Sequence, residues 1–339
     1  MGAATQYTDL SDLRTGLLNT VRDATGVTAT NTLADRYLNI ALHDIHIDPG
    51  HNWPWASRRA YLLTHAPYTT GTVSITAAAR TTVTGVSTLW NTAVTGMGFN
   101  NARVGGKMTF SGMTEVYEVS VVTDDTTITI LNRYTGAALS AASYAYFEDE
   151  YALAADFLRP LDMRNFSTDA NIPFVGPIEF RRAAPRNSRR QKPQIATWIQ
   201  LGFVSNTTPR HRVLLYPAPD DEYSIPYDYI TSNLAVSSAG TEQTQMTATT
   251  DEPIIPLAFR HILVLHAAYS WTLHRKDDTR SQEIKAEYTD LMKRMVGTSN
   301  IGQDRPRISV NYMKYFGGRR GGRFEINTEF DDIRDRRRW

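Results

Sequence analysis

The stretch "GTVSITAAARTTVTGVSTLW", residues 71–90, decides how this chain is divided. Its apolar side chains alternate, as in Val73 and Ile75, and its threonines and valines suit a pleated strand better than a helix. The same period of two continues through "EVYEVSVV" (115–122) and "TTITILN" (126–132) as far as Phe147. Turn residues cut it into short pieces: Gly85, Gly96, Gly98, Gly105-Gly106, Ser111-Gly112 and Asp124-Asp125. Short strands at that spacing predict a small antiparallel barrel or sandwich over residues 67–150.

On both sides the period lengthens to that of a helix. Leu10, Leu13, Leu17 and Val21 share one helical face, with Thr8 or Ser11 placed to cap it. Asn31 or Thr32 opens a second helix with a stripe of Ala34, Leu38, Ala41, Leu42 and Ile45, broken by Asp48-Pro49-Gly50. "HNWPW" (51–55) then reads as a rigid aromatic corner. Near the other end, Pro256 suits the first turn of a third helix with Phe259, Ile262, His266, Tyr269 and Leu273 on its stripe. "KDDTRSQ" makes a turn, with Thr279 and Gln282 in capping-box spacing, into a fourth helix faced by Ile284, Tyr288, Leu291 and Met295 and ending at Gly297.

A second, looser β region occupies residues 151–255, with strands from about Glu179 to Ile230 and a Ser/Thr/Gln-rich loop over 232–252. The expected class is therefore α+β. Residues 1–66 and 256–297 build one four-helix core from both ends of the chain, the two β regions are inserted between them, and 298–339 form an extended arm.

Composition narrows the chemistry. Of 339 residues, 41% are hydrophobic and 21% charged, and the formal net charge is +1, so no global field draws the chain to nucleic acid or an anionic membrane. The absence of cysteine removes disulfides, thiolate nucleophiles, iron–sulfur clusters and cysteine zinc sites. The start "MGAATQYTDL" lacks a secretory pattern, Gln6 spoils a myristoylation signal at Gly2, and the apolar run Ile262–Leu265 stops at His266, so neither export nor a membrane partner is expected.

Catalytic signatures fail individually. "NARVGGKMTF" has Asn101 and Met108 where a phosphate loop needs Gly and Ser or Thr. "GMGFNNA" lacks the third glycine of a dinucleotide site, and "GVSTL" has Leu89 where a nucleophile elbow needs glycine. His43, His46 and His51 lie near Asp44 and Asp48, yet a Pro-Gly break separates the third. The first two fit the end of helix two, where imidazolium complements the dipole. His266 reads as a core residue, and Glu148, Asp149 and Glu150 read as a solvated edge. No catalytic residue, metal or cofactor is assigned, and the chain is not expected to be an enzyme.

Two basic segments remain. "RRAAPRNSRRQK" carries Arg181, Arg182, Arg186, Arg189, Arg190 and Lys192 without an acid, so it is a candidate contact for DNA or for a protein partner. The terminal "FGGRRGGRFEINTEFDDIRDRRRW" (316–339) looks like an RNA tail, but its seven Arg face two Glu and three Asp. Apolar Phe324, Ile326, Phe330 and Ile333 interleave with those acids. Such a mixture suits docking on a folded surface. The docking residues of this arm are Tyr312, Tyr315, Phe316, Arg319, Arg320, Arg323, Phe324, Ile326, Phe330, Ile333 and Trp339.

The ordered set of elements resembles the head-to-tail adaptor, or connector, proteins of tailed bacteriophages. The resemblance rests on three features. They are "LADRYLNIALHDIHIDPGHNWPW", then "TTVTGVSTLWNTAVTG" with "GGKMTFSGMTEVYEVSVVTDDTTITILNRYTG", and finally "RVLLYPAPDDEYSIPYDY" with "DEPIIPLAFRHILVLHAAYSWTLHRKDDTRSQEIKAEYTDLMKRM". It implies a four-helix adaptor core in a homo-oligomeric ring, usually a dodecamer, in the virion neck after assembly in the host cytoplasm. Its implied partners are the portal protein, tail or nozzle proteins, and packaged DNA passing through the channel. It brings no active site. The alternative function is a nucleic-acid-binding module using residues 181–192 and the tail.

Overall fold

The computed structural model describes residues 7–23, 27–48, 51–96, 98–165, 170–184, 188–203, 209–299, 309–310 and 326–327. Its elements define an α+β fold in which helices from both ends of the chain pack together and antiparallel β regions lie between them in sequence. The described residues fall into two compact units. One holds Asp12–Ala41 with the helices after Leu257, and the other holds Thr8–Ser11 and Leu42–Pro256.

The helices α1 (Leu10–Val21) and α2 (Thr28–Ile47), most of whose residues belong to the helical unit, follow the sequence stripes. Leu10, Leu13, Leu17, Leu38, Ala41 and Leu42 are wholly buried. α2 begins a turn earlier than Asn31. Arg14 joins the two helices through a bidentate pair with Asp35, both contacts at 2.7 Å. α4 (His261–His274) follows a short 3-10 turn at Leu257–Phe259, so Pro256 precedes that turn instead of opening the helix. α4 is not striped as expected: Ile262, Leu263, Val264, Leu265, Ala267, Ala268 and Trp271 are all buried, while Leu273 is exposed. A helix surrounded by others is apolar nearly all round, and periodicity then fades. α5 (Asp278–Ser299) buries Ile284 and Met295 as expected and runs two residues beyond Gly297.

The turn between α4 and α5 is a Schellman cap. Asp277 N–H donates to Thr272 O and Lys276 N–H to Leu273 O, both at 3.1 Å, with Lys276 left-handed at φ 60°. Asp277 also caps α5, its Oδ1 accepting the Arg280 amide at 3.3 Å, and so takes the role expected of Thr279. α1 ends in the same way, with Arg22 at φ 56°, Asp23 N–H on Leu18 O and Arg22 N–H on Asn19 O. The two caps are tied by the Arg275–Asp23 ion pair and by Arg280 Nη2 donating to Thr20 O at 2.5 Å.

In the β unit, β1 is Ser57–Leu63, a strand missing from the sequence reading. Next come β2 (Thr72–Ile75), β3 (Thr82–Val86), β4 (Lys107–Phe110), β5 (Tyr117–Val122), β6 (Thr127–Ile130), β7 (Leu139–Ala142) and β8 (Tyr144–Phe147). The last seven form one antiparallel sheet in the order β7-β2-β3-β6-β5-β4-β8. A flat seven-stranded sheet is about 29 Å wide at about 4.8 Å per gap. Its edge strands β7 and β8 are separated only by Ser143, which holds their ends within about 7 Å. The sheet therefore curls into a half-barrel, around Val73, Ile75, Val83, Trp90, Met108, Val119, Ile128 and Tyr146. Gly85 lies inside β3 and not in a turn: a Cβ there would meet Thr88 Oγ1 at 2.3 Å.

The remaining strands are β9 (Glu150–Ala152), β10 (Phe157–Asn165), β11 (Ala170–Asn171), β12 (Ile195–Phe203), β13 (Pro209–Tyr216) and β14 (Ser224–Thr231). α3 (Pro177–Ala183) lies between β11 and β12. They make the sheets β1-β14-β10-β11 and β12-β13-β9 around a core that includes Phe157, Met163, Val213, Leu215 and Ile225. Pro160 has no N–H to offer, and β10 is bulged on both sides of it. Residues 232–252 are more than a loop. β15 (Ala235–Val236) pairs with β16 (Glu242–Gln243) and β17 (Glu252–Pro253), and Asp251 Oδ2 gathers the Thr247 and Ala248 amides, each at 2.7 Å, and Gln243 Nε2 at 2.5 Å. In the arm, β18 (Ser309–Val310) pairs with β19 (Ile326–Asn327).

Candidate functional site

The basic segment 181–192 is divided among different environments. Gly176 caps α3, Pro177 takes the first helical position, and Arg181 and Arg182 fill the last turn, where cations suit the dipole. Phe180 is the buried anchor, edge-on to Tyr216 at 6.4 Å, which turns Arg181 and Arg182 to the exposed side. Arg186 lies outside the described residues. The following segment is fastened to Ala218, whose amide donates to Arg189 O at 3.0 Å and whose carbonyl accepts the Gln191 amide at 2.9 Å. Arg189 is exposed and grips Gln191 Oε1 at 3.1 and 2.7 Å. Arg190 is half-buried with its guanidinium 5.5 Å from the Phe147 ring. Arg181, Arg182, Arg189 and Lys192 thus form the exposed charge, and Arg190 has a packing role.

The acids 148–150 are not a solvated edge. Glu148 is 4% and Asp149 8% exposed, and each of the three carboxylates pairs with a cation from a different segment. Arg103 grips Glu148 with Nε at 2.9 Å and with Nη2, while Tyr146 OH donates to the same carboxylate at 2.6 Å. Lys107 Nζ donates to Asp149, and Arg212 Nη1 lies 3.3 Å from Glu150. The ladders explain this, since Lys107 is opposite Phe147 and Arg212 is opposite Ala152, diagonal to Glu150. Burial pushes the Glu150 carboxyl above its usual range, with Arg212 pulling it back. Burial, then the Glu148 charge, pushes the Tyr146 and Tyr151 phenols far above theirs. These acids act as a clamp where half-barrel strands meet β9 and β13. Sequence alone offered no signal for it, because the cations lie far away in the chain.

The histidines point to separate places. His46 is buried and donates from Nε2 to Thr231 O at 2.6 Å. Burial pushes its pKa below the ordinary value, so it is a neutral donor and not the dipole-stabilised cation expected from its position. His51 Nδ1 meets Asp48 at 2.9 Å with its ring stacked on Trp53, and His43 is exposed beside Asp44. His266 packs edge-on to Tyr288 at 5.0 Å. Among the described residues no group of three acids, histidines or cysteines is placed to hold a metal ion.

A shallow groove of about 350 Å³ on the β1-β14-β10 face is lined by Arg59, Asp162, Arg164, Pro226 and Asp228. Its charges neutralise one another: Arg59 takes Asp228 at 2.7 and 3.0 Å, and Arg164 takes Asp162 at 3.1 Å. Tyr312, Tyr315, Phe316, Arg319, Arg320, Arg323, Phe324, Phe330, Ile333 and Trp339 of the arm lie outside the described residues. Of Ile326 only the backbone is described, paired with Val310. No helix among the described residues is long and apolar enough to cross a membrane. No protein-family model matches the sequence, and no curated protein matches it significantly.

Proposed function

We propose that the chain is a structural virion protein, an adaptor ring that joins portal to tail and surrounds the DNA channel. The observation that carries this reading is the packing together of helices from both ends of the chain, with β1 to β17 inserted between α2 and α4 in sequence. In this reading the helical unit packs side by side in the ring and the β regions face tail components. The arm after Ser299 is the portal-docking element in this reading, and its apolar residues among mixed charges supply affinity and register. Electron microscopy of the full chain mixed with its portal should show a closed ring at the portal base. A chain that stays monomeric with portal would remove the basis for the ring, and normal assembly on the portal after truncation at Ser299 would remove the docking role of the arm.

A second reading is favoured by one observation, the four exposed cations Arg181, Arg182, Arg189 and Lys192. In it the chain is a nucleic-acid-binding module. A gel-shift titration at 50 and 200 mM salt separates the readings. A module whose phosphate contacts dominate loses affinity steeply with salt, whereas a channel wall binds DNA weakly and without sequence preference at either concentration.

A further inference from the structure

Three carboxylates meet three cations where half-barrel strands meet β9 and β13, and only one of those cations is an amine. Arg103 and Arg212 can hold a carboxylate only as guanidinium ions, whereas a lysine that gives up its proton is a nucleophile. Lys107 lies on β4 opposite Phe147, so Asp149, two residues further on, is its diagonal neighbour across the ladder. Its Nζ donates to Asp149 Oδ2, and the two side chains are only 15% and 11% exposed.

A buried ion pair is well stabilised only when further hydrogen bonds satisfy its remaining atoms, and this pair lacks them. Asp149 Oδ1 is buried with no hydrogen-bond partner among the described residues. Glu150, next in the chain, also has a buried oxygen without a hydrogen bond, its Oε1 beside Arg212. Burial holds the Glu150 carboxyl above its usual range, and the charges of Asp149 and Lys107 both act on it, so a group able to take up and return a proton stands beside the pair. A hydrogen-bonded amine sits roughly 3–3.5 Å from the carboxyl carbon, the separation from which attack proceeds. Nucleophile, carboxyl and proton relay thus share one site largely closed to water.

We propose that Lys107 and Asp149 join in an amide, an isopeptide cross-link that the folded chain forms by itself. The Nζ–Cγ bond forms and the Cγ–Oδ2 bond breaks. Nζ gives up two protons, the first directly to Oδ2 along their hydrogen bond and the second by way of Glu150, and Oδ2 leaves with both as water. Oδ1 stays as the amide carbonyl, and no oxidant or other reactant takes part. The product replaces two buried charges by one neutral amide, so the unpartnered Oδ1 no longer belongs to an ion. In a chain without cysteine the link supplies a covalent staple, tying β4 to the segment between β8 and β9. It does not depend on the ring reading.

Mass spectrometry of the denatured full-length chain reads the link directly. The purified protein should be lighter than its sequence by one water, and a tryptic digest should show no cut after Lys107 and its fragment joined to the one that holds Asp149. Lys107→Arg keeps the ion pair and hence the fold but has no amine to acylate, so it should have the full sequence mass, as should Asp149→Ala. Glu150→Gln keeps the shape of the side chain without its proton transfer and should leave the chain largely unlinked. A wild-type chain at full mass that trypsin cuts after Lys107 would overturn the inference, as would a missing water that persists in Lys107→Arg. Complete linking in Glu150→Gln would take the proton relay away from Glu150.

Discussion

Trp53→Phe tests whether the aromatic corner is a helix cap or only packing. The last carbonyls of a helix have no partner four residues on, and for Ile45 that partner would be Pro49, which has no N–H. The Trp53 indole supplies the missing donor, Nε1–H to Ile45 O at 2.7 Å, from a side chain only 1% exposed. Phenylalanine keeps the stacking with His51 and Trp55, at 5.1 and 4.8 Å between centroids, but removes the donor. Leaving a buried carbonyl unsatisfied costs about 1–3 kcal/mol. The smaller ring leaves a void of roughly 40 Å³, which adds about 1 kcal/mol at about 24 cal/mol per Å³. The expected loss is thus about 2–4 kcal/mol, read as a lower urea midpoint at unchanged slope. Trp55→Phe is the control, because Trp55 is half-exposed and stacks on the same ring. If the two variants differ by less than about 0.5 kcal/mol, within the error of such measurements, the capping argument is wrong.

Lys276→Gly should stabilise the helical unit by up to about 1 kcal/mol, since a left-handed lysine costs about 1–2 kcal/mol and glycine returns part of that through chain entropy; a lower melting temperature would contradict the Schellman assignment. Arg103→Ala should cost about 2–3 kcal/mol by leaving the buried Glu148 charge without its guanidinium, while Arg59→Ala at the exposed Asp228 pair should cost far less; comparable losses in urea titrations would refute the distinction. His46 and His211 have pKa values lowered by burial, so the unfolded chain takes up their protons first. Their contribution is complete above about pH 6.5 and falls as the pH drops through that value. Urea midpoints should decline from pH 7.5 to 5.5, and less so in His46→Gln; an identical decline in the variant would remove His46 from the account. Glu150 works in the opposite sense, contributing below the ordinary carboxylate range and losing that contribution as pH rises.

The sequence by itself determined the features that are written locally. The stripes of α1 and α2 are legible because each helix covers a core on one side only, and Leu10, Leu13, Leu17, Ala34, Leu38 and Ala41 are all buried. The period of two over residues 71–147 is legible because the half-barrel strands bury alternate residues, as in Val73 and Ile75. The Pro49 break also shows that α2 needs a cap from elsewhere.

What only the tertiary structure decided depends on partners distant in the chain. Ser57–Leu63 becomes a strand because Ser224–Thr231 pairs with it, and residues 232–252 become a small sheet because Asp251 collects their amides. Glu148, Asp149 and Glu150 resemble solvated surface until Arg103, Lys107 and Arg212 reach them. Burial of a charge depends on what folds over it, and a run of three acids has no period that records this. For the same reason the basic stretch 181–192 looks like one patch in the sequence, whereas folding directs Arg190 to Phe147 and leaves Arg181, Arg182, Arg189 and Lys192 exposed.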